Sequence, residues 1–132
     1  LVLHGLLLEV VAGLARASAS SRSREPSWLD RVEEFLRAGF DAPLSLAAIA
    51  AHAGVHPVHL ARAYRRHRHR TIGDRIRELR IERACWLLAS TGDSIADIAY
   101  RCGFADQSHL ARLMRRRLGV TPTQYRAERA TR

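Results

Sequence analysis

Apolar residues recur along this chain at intervals of three and four, and no stretch alternates for more than a few positions, so the pattern predicts helices and no half-buried strand. Leu3, Leu7, Val10 and Leu14 form a first stripe of a/d type, which calls for another apolar surface. Leu29, Val32, Phe35 and Leu36 form the second, opened by Pro26 with Ser27 as N-cap and closed by Gly39. Ser45 caps the run LAAIAAHA, whose small residues admit a close neighbour; Gly54 turns the chain, and Pro57 starts HLARAYRR. From Thr71 to Ser90, residues Ile72, Ile76, Leu79, Ile81, Ala84, Leu87 and Leu88 fall mostly at helical spacing, which predicts a helix of roughly 18 residues, about 27 Å long. Gly92 and Ser94 break and recap the chain before IADIAYRC, and Gly103 turns it into DQSHLARLMRRRL. Gly119 ends that helix, and Thr121-Pro122 begins a short last one.

Part of this pattern is duplicated. His-Leu-Ala-Arg-x-x-Arg-Arg stands at 59–66 and again at 109–116, while Leu46, Ile49, Ala50 and Gly54 match Ile95, Ile98, Ala99 and Gly103 at an offset of 49. The basic runs match at 50, so one residue has been inserted in the second turn. The predicted fold is all-α: two helix-turn-helix subdomains joined by a long linker helix, preceded by an extra N-terminal helix. The first helix-turn-helix spans about 45–67, the linker helix about 73–90 and the second helix-turn-helix about 94–118, all within a domain of 27–132. Residues 18–26 are a Ser-rich, polar linker. Residues 1–17 are expected to form an amphipathic helix that packs on something outside this chain, as the end of a missing N-terminal sensor and dimerisation domain or as a dimer seam, with folding back on its own domain as the alternative.

Charge sharpens the reading. Residues 1–45 hold five Arg and six acids, net −1, whereas 46–132 hold seventeen Arg and seven acids, net +10. No acid occurs between Asp41 and Asp74, and Arg62, Arg65, Arg66, Arg68 and Arg70 crowd that gap, which suits binding to a polyanion. Every basic residue other than histidine is arginine, a composition that suits fork-shaped bonding to phosphate or guanine but that a GC-rich genome explains better. Cys85 and Cys102 lie singly in apolar runs, which points to packing. Five histidines fall between 52 and 69, but not at the i, i+4 spacing of helical ligands and without Cys or acidic partners, so no metal is expected. The opening apolar run of 14 residues is too short to span a bilayer, and a cytoplasmic protein without cofactor is expected. Paired carboxylates, a nucleophile with its base and a Gly-rich phosphate loop are all missing at usable spacing, which argues against an enzyme.

In a helix-turn-helix the second helix enters the major groove of double-stranded DNA, early residues on base edges and later ones on phosphates. With Leu60 and Tyr64 inward, the first reader presents Val58, Ala61 and Arg62; Arg62 is the long donor suited to guanine, and the two apolar groups could meet a thymine methyl. With Leu110, Leu113 and Met114 inward, the second presents Gln107, Ser108, Ala111 and Arg112, with His109 at its edge. Arg65, Arg66, Arg68, Arg70, Arg115 and Arg116 are the candidate phosphate contacts. Rival readings are a non-specific basic nucleic-acid binder, and a protein-interaction or dimerisation module acting through 1–17. The first rival predicts no aromatic stacking platform, and the sequence shows none; preference among duplexes separates it from specific readout.

Residues 94–126, SIADIAYRCGFADQSHLARLMRRRLGVTPTQYR, resemble the signature of the AraC/XylS family of bacterial transcription regulators almost throughout, and the resemblance extends over about 44–128. It implies two helix-turn-helix units on one long helix, base-facing positions at Val58, Ala61, Arg62, Gln107, Ser108, His109 and Arg112, an N-terminal sensor domain in longer relatives, and activation through RNA polymerase. Departures fall at Leu110 and Met114, where phenylalanines are common, at Arg75, where an aromatic often packs, and at His69, where glycine is usual. The first three bear on core packing, and His69 is expected to lengthen or reshape the end of the first reader.

Overall fold

A computed structural model describes residues 24–130, in which the chain forms seven helices: α1 (Trp28–Gly39), α2 (Leu46–Ala53), α3 (Pro57–Arg68), α4 (Ile72–Ser90), α5 (Ile95–Arg101), α6 (Gln107–Leu118) and α7 (Pro122–Ala130). The stripe of Leu3, Leu7, Val10 and Leu14 lies outside the described residues. Most helix starts follow the expected chemistry. The Ser45 hydroxyl accepts from the Ala48 amide at 3.0 Å, and that of Ser94 from Asp97 at 3.1 Å. Thr71 and Asp74 cap α4 reciprocally, as Thr121 and Gln124 do α7. Ser27 departs from expectation: its backbone is already helical and its side chain caps nothing, while the Leu29 amide reaches the Pro26 carbonyl instead.

The helices bury two separate apolar cores. Leu29, Val32 and Leu36 of α1 meet Ile49 and Ala50 of α2, Leu60 and Tyr64 of α3, and Ile72, Ile76 and Leu79 from the first half of α4. The second core gathers Ile81, Ala84, Leu87 and Leu88 from the other half of α4 with Ile98, Ala99, Leu110, Leu113 and Met114. At 100° per residue, the stripe that α4 offers the second core is rotated by roughly 130° from the one it offers the first. This explains why its apolar residues keep helical spacing only in part: the face changes between Leu79 and Ile81. Arg126 of α7 ties back to α4, donating to the carbonyls of Leu88 and Thr91, each at 3.2 Å.

Arg75 is buried at 4% exposure, and its charge is met from a distant part of the chain. Its Nε donates to Glu33 Oε2 at 2.9 Å and one terminal nitrogen to the same oxygen at 2.5 Å; the other reaches Glu78 Oε1 at 2.6 Å. Burial works to raise the Glu33 carboxyl, but the hydrogen bonds and charge of Arg75, aided by Arg37 and Arg68, hold it below its ordinary value. Desolvation, with Glu33 nearby, pushes the Tyr64 phenol up. A residue standing in place of an aromatic is thus accommodated by a carboxylate from α1.

His69 does not lengthen the first reader. It takes the left-handed conformation at φ 61°, and its amide closes on the Arg65 carbonyl, as Gly119 does fifty positions later at φ 76° on Arg115. The two reader helices therefore end at the same register.

Candidate nucleic-acid interface

Each reader is held from beneath by its core and shows a polar face above it. In α3, Leu60 and Tyr64 are wholly buried, whereas Val58 is half exposed and Ala61, Arg62, Arg65 and Arg66 are exposed. In α6, Leu110 and Met114 are wholly buried and Leu113 nearly so, and Gln107, Ser108, Arg112, Arg115 and Arg116 are exposed, with Ala111 half-buried. The helix period accounts for both patterns: inward residues recur at i, i+3 and i+4, and Arg62 and Arg112 follow the buried leucine by two in each copy.

The starts of the readers differ. Asp106 accepts the His109 amide at 2.8 Å, an ordinary carboxylate cap. In α3 the cap is an imidazole: Nδ1 of His56 accepts the Val58 amide at 3.2 Å. Neither reader has an acidic residue in its first turn, but the Asp106 carboxylate at the N-cap of α6 offsets the positive end of that helix dipole, whereas the imidazole cap of α3 leaves its own uncompensated. The His109 ring stands edge-on to Phe104 at 5.2 Å, the His59 ring lies 5.6 Å from Trp28, and His52 stacks on Phe35 at 4.3 Å. These three histidines are spread over separate aromatic partners.

The arginines divide into two groups. Among the described residues Arg62, Arg65, Arg66, Arg112, Arg115 and Arg116 make no ion pair, so their charge is available to a ligand. Arg68 is instead held between Glu25 at 2.5 Å and Asp30 at 3.2 Å, and Arg70 is paired with Glu78. A concavity between the first turn of α4 and α6 adds Arg77 and Arg117 beside Arg112 and Arg116. Sequence reasoning had passed over both, although Arg117 extends the run of arginines in α6. Asp74 sits in the same concavity, hydrogen-bonded by Arg77 at 2.8 Å, and this bond with those to Thr71 lowers its carboxyl to about 2. Asp74 therefore offsets part of the charge there, and the concavity remains basic.

The arrangement is two parallel designs: a buried apolar underside, polar or small side chains early in the reader, unpaired arginines later. It can present hydrogen-bond donors to base edges and charge to a phosphate backbone.

Comparison with known proteins agrees with this geometry. A family described as a helix-turn-helix domain matches residues 49–128. The chain is 35% identical to the HTH-type transcriptional regulator GlxA of Rhizobium meliloti over 94% of its own length, but spans only 38% of that regulator. It is 36% identical to the regulatory protein SoxS of Escherichia coli over 65% of its length, covering 80% of SoxS. A solved transcriptional regulator from Chromobacterium violaceum, described as AraC-type and DNA-binding-domain-containing, superposes with a TM-score of 0.71 at 30% identity, over 86% of this chain and 96% of that one.

Proposed function

The chain belongs to the AraC/XylS family of DNA-binding helix-turn-helix regulators, and from that premise we propose that it controls transcription by setting α3 and α6 in successive major grooves of one DNA face, about 34 Å apart. The observation that carries this reading is the repeated reader face, with Arg62 and Arg112 exposed and unpaired at the same register above separate cores. Val58, Ala61 and Arg62 read one block of bases, and Gln107, Ser108, His109 and Arg112 read the other. Arg65, Arg66, Arg115 and Arg116 bind phosphates. Arg68 and Arg70, although basic, serve more as braces, because carboxylates already hold them.

Since the two units lie in tandem within one chain and differ at the early reader positions, the site is asymmetric, two unlike blocks roughly one helical turn apart. Fitting both readers at fixed spacing bends the duplex, at a cost of order 1–6 kcal/mol. Family membership favours activation through contact with RNA polymerase in the cytoplasm. Pairing through Leu3, Leu7, Val10 and Leu14, or through a further domain, brings two such sites together.

Selection of duplexes from a random pool at about 0.15 M salt tests the reading, because that salt suppresses the sequence-independent electrostatic term. Two enriched blocks about ten base pairs apart are expected. An unenriched pool with affinity collapsing as salt rises would leave a non-specific basic binder.

A further inference from the structure

The two cores share α4 and little else, so the angle between the readers depends on the seam where the units touch. A polar junction stands at that seam. On one side is the link between α1 and α2, residues 40–45; on the other is the turn between α5 and α6 at Gly103. Arg80 lies between them. It occupies the position of α4 where the apolar stripe changes face, so its side chain falls on the inside of the angle between the two stripes.

The contacts there are specific. Arg80 Nε donates to the Phe40 carbonyl at 2.7 Å, and a terminal nitrogen to the Ala42 carbonyl at 3.3 Å. Gly103 is packed against the same junction: a Cβ on it would lie 3.0 Å from both Arg80 Nε and the Phe40 oxygen and 3.1 Å from the Asp41 carbonyl carbon. Its φ of +89° already favours glycine. The three parts of the junction belong to the first unit, the shared helix and the second unit. Elsewhere across the units Arg117 approaches Asp74 at 3.7 Å, a contact between partly exposed groups that contributes little.

We propose that Arg80 is a positioning residue that sets the angle between the two readers, and thereby the base-pair spacing the protein accepts. The carbonyls of Phe40 and Ala42 follow the C-terminus of α1, so they move with the first unit; Gly103 leads into α6, so it moves with the second. Arg80, on the shared helix, holds the first unit's carbonyls by charge-assisted hydrogen bonds, and Gly103 of the second unit sits close against the same guanidinium, so both units meet on one side chain. Without them α4 alone would connect the readers, and its bending would widen the range of angles they sample. Two linked readers then act at lower effective concentration on a correctly spaced site, and tolerate wrong spacing better. The consequence for spacing rests on the DNA reading proposed above; the consequence for orientation does not.

Two measurements on the whole chain separate these. Residual dipolar couplings of backbone amides in weakly aligned, DNA-free protein report whether both units share one alignment tensor. The parent chain is expected to show one tensor, and Arg80→Met, which keeps the aliphatic stem and loses the donors, two of unequal magnitude. Arg80→Lys, with one donor for Phe40, should restore much of the common alignment, a rescue that mere loss of packing would not produce. Arg80→Gln is the alternative should the Met variant not fold. On duplexes whose blocks are set about 9 to 12 base pairs apart, Arg80→Met should lose about ten-fold at the preferred spacing and show a flatter profile. A single shared tensor and an unchanged spacing profile in Arg80→Met would overturn the proposal. A flat profile in the parent chain would count against the DNA reading, leaving the tensors to judge the strut.

Discussion

Replacing Glu33 with leucine tests the buried ion cluster beneath the first reader. Arg75 has a side chain only 5% exposed and would be left with Glu78 alone, itself 32% exposed and also engaged by Arg70. Losing one partner of a fully buried pair costs about 3–5 kcal/mol, because the remaining charge stays desolvated. Glu33 lies near the rim at 17% exposure and Glu78 keeps one bond to Arg75, so the lower end applies, about 3 kcal/mol. For a domain of this size that lowers Tm by roughly 12–24 °C. Arg75→Met should cost less, since Glu33 keeps Arg37 at 3.2 Å and can turn to water. The double variant Glu33→Leu/Arg75→Met leaves no stranded charge and should lie within about 1 kcal/mol of the parent. Urea and thermal unfolding followed by circular dichroism supply the cycle. The reasoning fails if Glu33→Leu loses under about 1 kcal/mol, or if the double variant loses as much as the two single ones together.

Arg112→Ala should cost about 1–3 kcal/mol in binding and relax the preference in one block, whereas Arg116→Ala should weaken all duplexes alike; fluorescence anisotropy across single-block variants would expose a uniform loss for Arg112, which is the contrary result. His69→Gly should raise stability by about 1 kcal/mol, since it removes a left-handed strain of about 1–2 kcal/mol and restores part of that as unfolded-state freedom; an unchanged or lower Tm would speak against strain at this cap. Glu33 and Asp74 both have lowered carboxyl values, so each stabilises the fold above its ordinary value of 4.5 or 3.8, and that contribution is lost as pH falls through the lowered one. Unfolding free energy should hold down to about pH 4.5 and decline between there and about pH 2, and Asp74→Asn should flatten the lower part of that decline in an acid titration.

The helices were legible in the sequence because their caps and periods are local: Ser45, Gly54, Pro57, Ser94, Gly103 and Gly119 each act within a few residues of themselves. The inward and outward faces of α3 and α6 were legible for the same reason. What escaped depends on distance in the chain. The partner that buries Arg75 stands 42 positions upstream, and no periodicity points from Arg75 to Glu33. Arg80 was unremarkable as one arginine among many, and its role emerges only where α4 changes face. The arginine run at 62–70 suggested one basic surface, but folding sends Arg68 toward α1 and Arg70 toward α4 and leaves Arg62, Arg65 and Arg66 unpaired. His69 could be flagged from sequence, yet whether it would adopt a glycine-like backbone was a matter of tertiary context.

Because α4 gives its first half to one core and its second half to the other, the protein resembles a two-unit array with a shared spacer, in which total stability is the sum of two intrinsic terms and one coupling term. Either half can then open while the other stays folded, and α4 would fray only as far as the point where its face changes. Amide protons at Ile76 and Leu79 should exchange with those of α3, and those at Ala84 and Leu88 with α6, in separate cooperative groups. A duplication of this kind lets substitutions accumulate in one reader without unfolding its neighbour, so the two halves of a binding site can diverge independently.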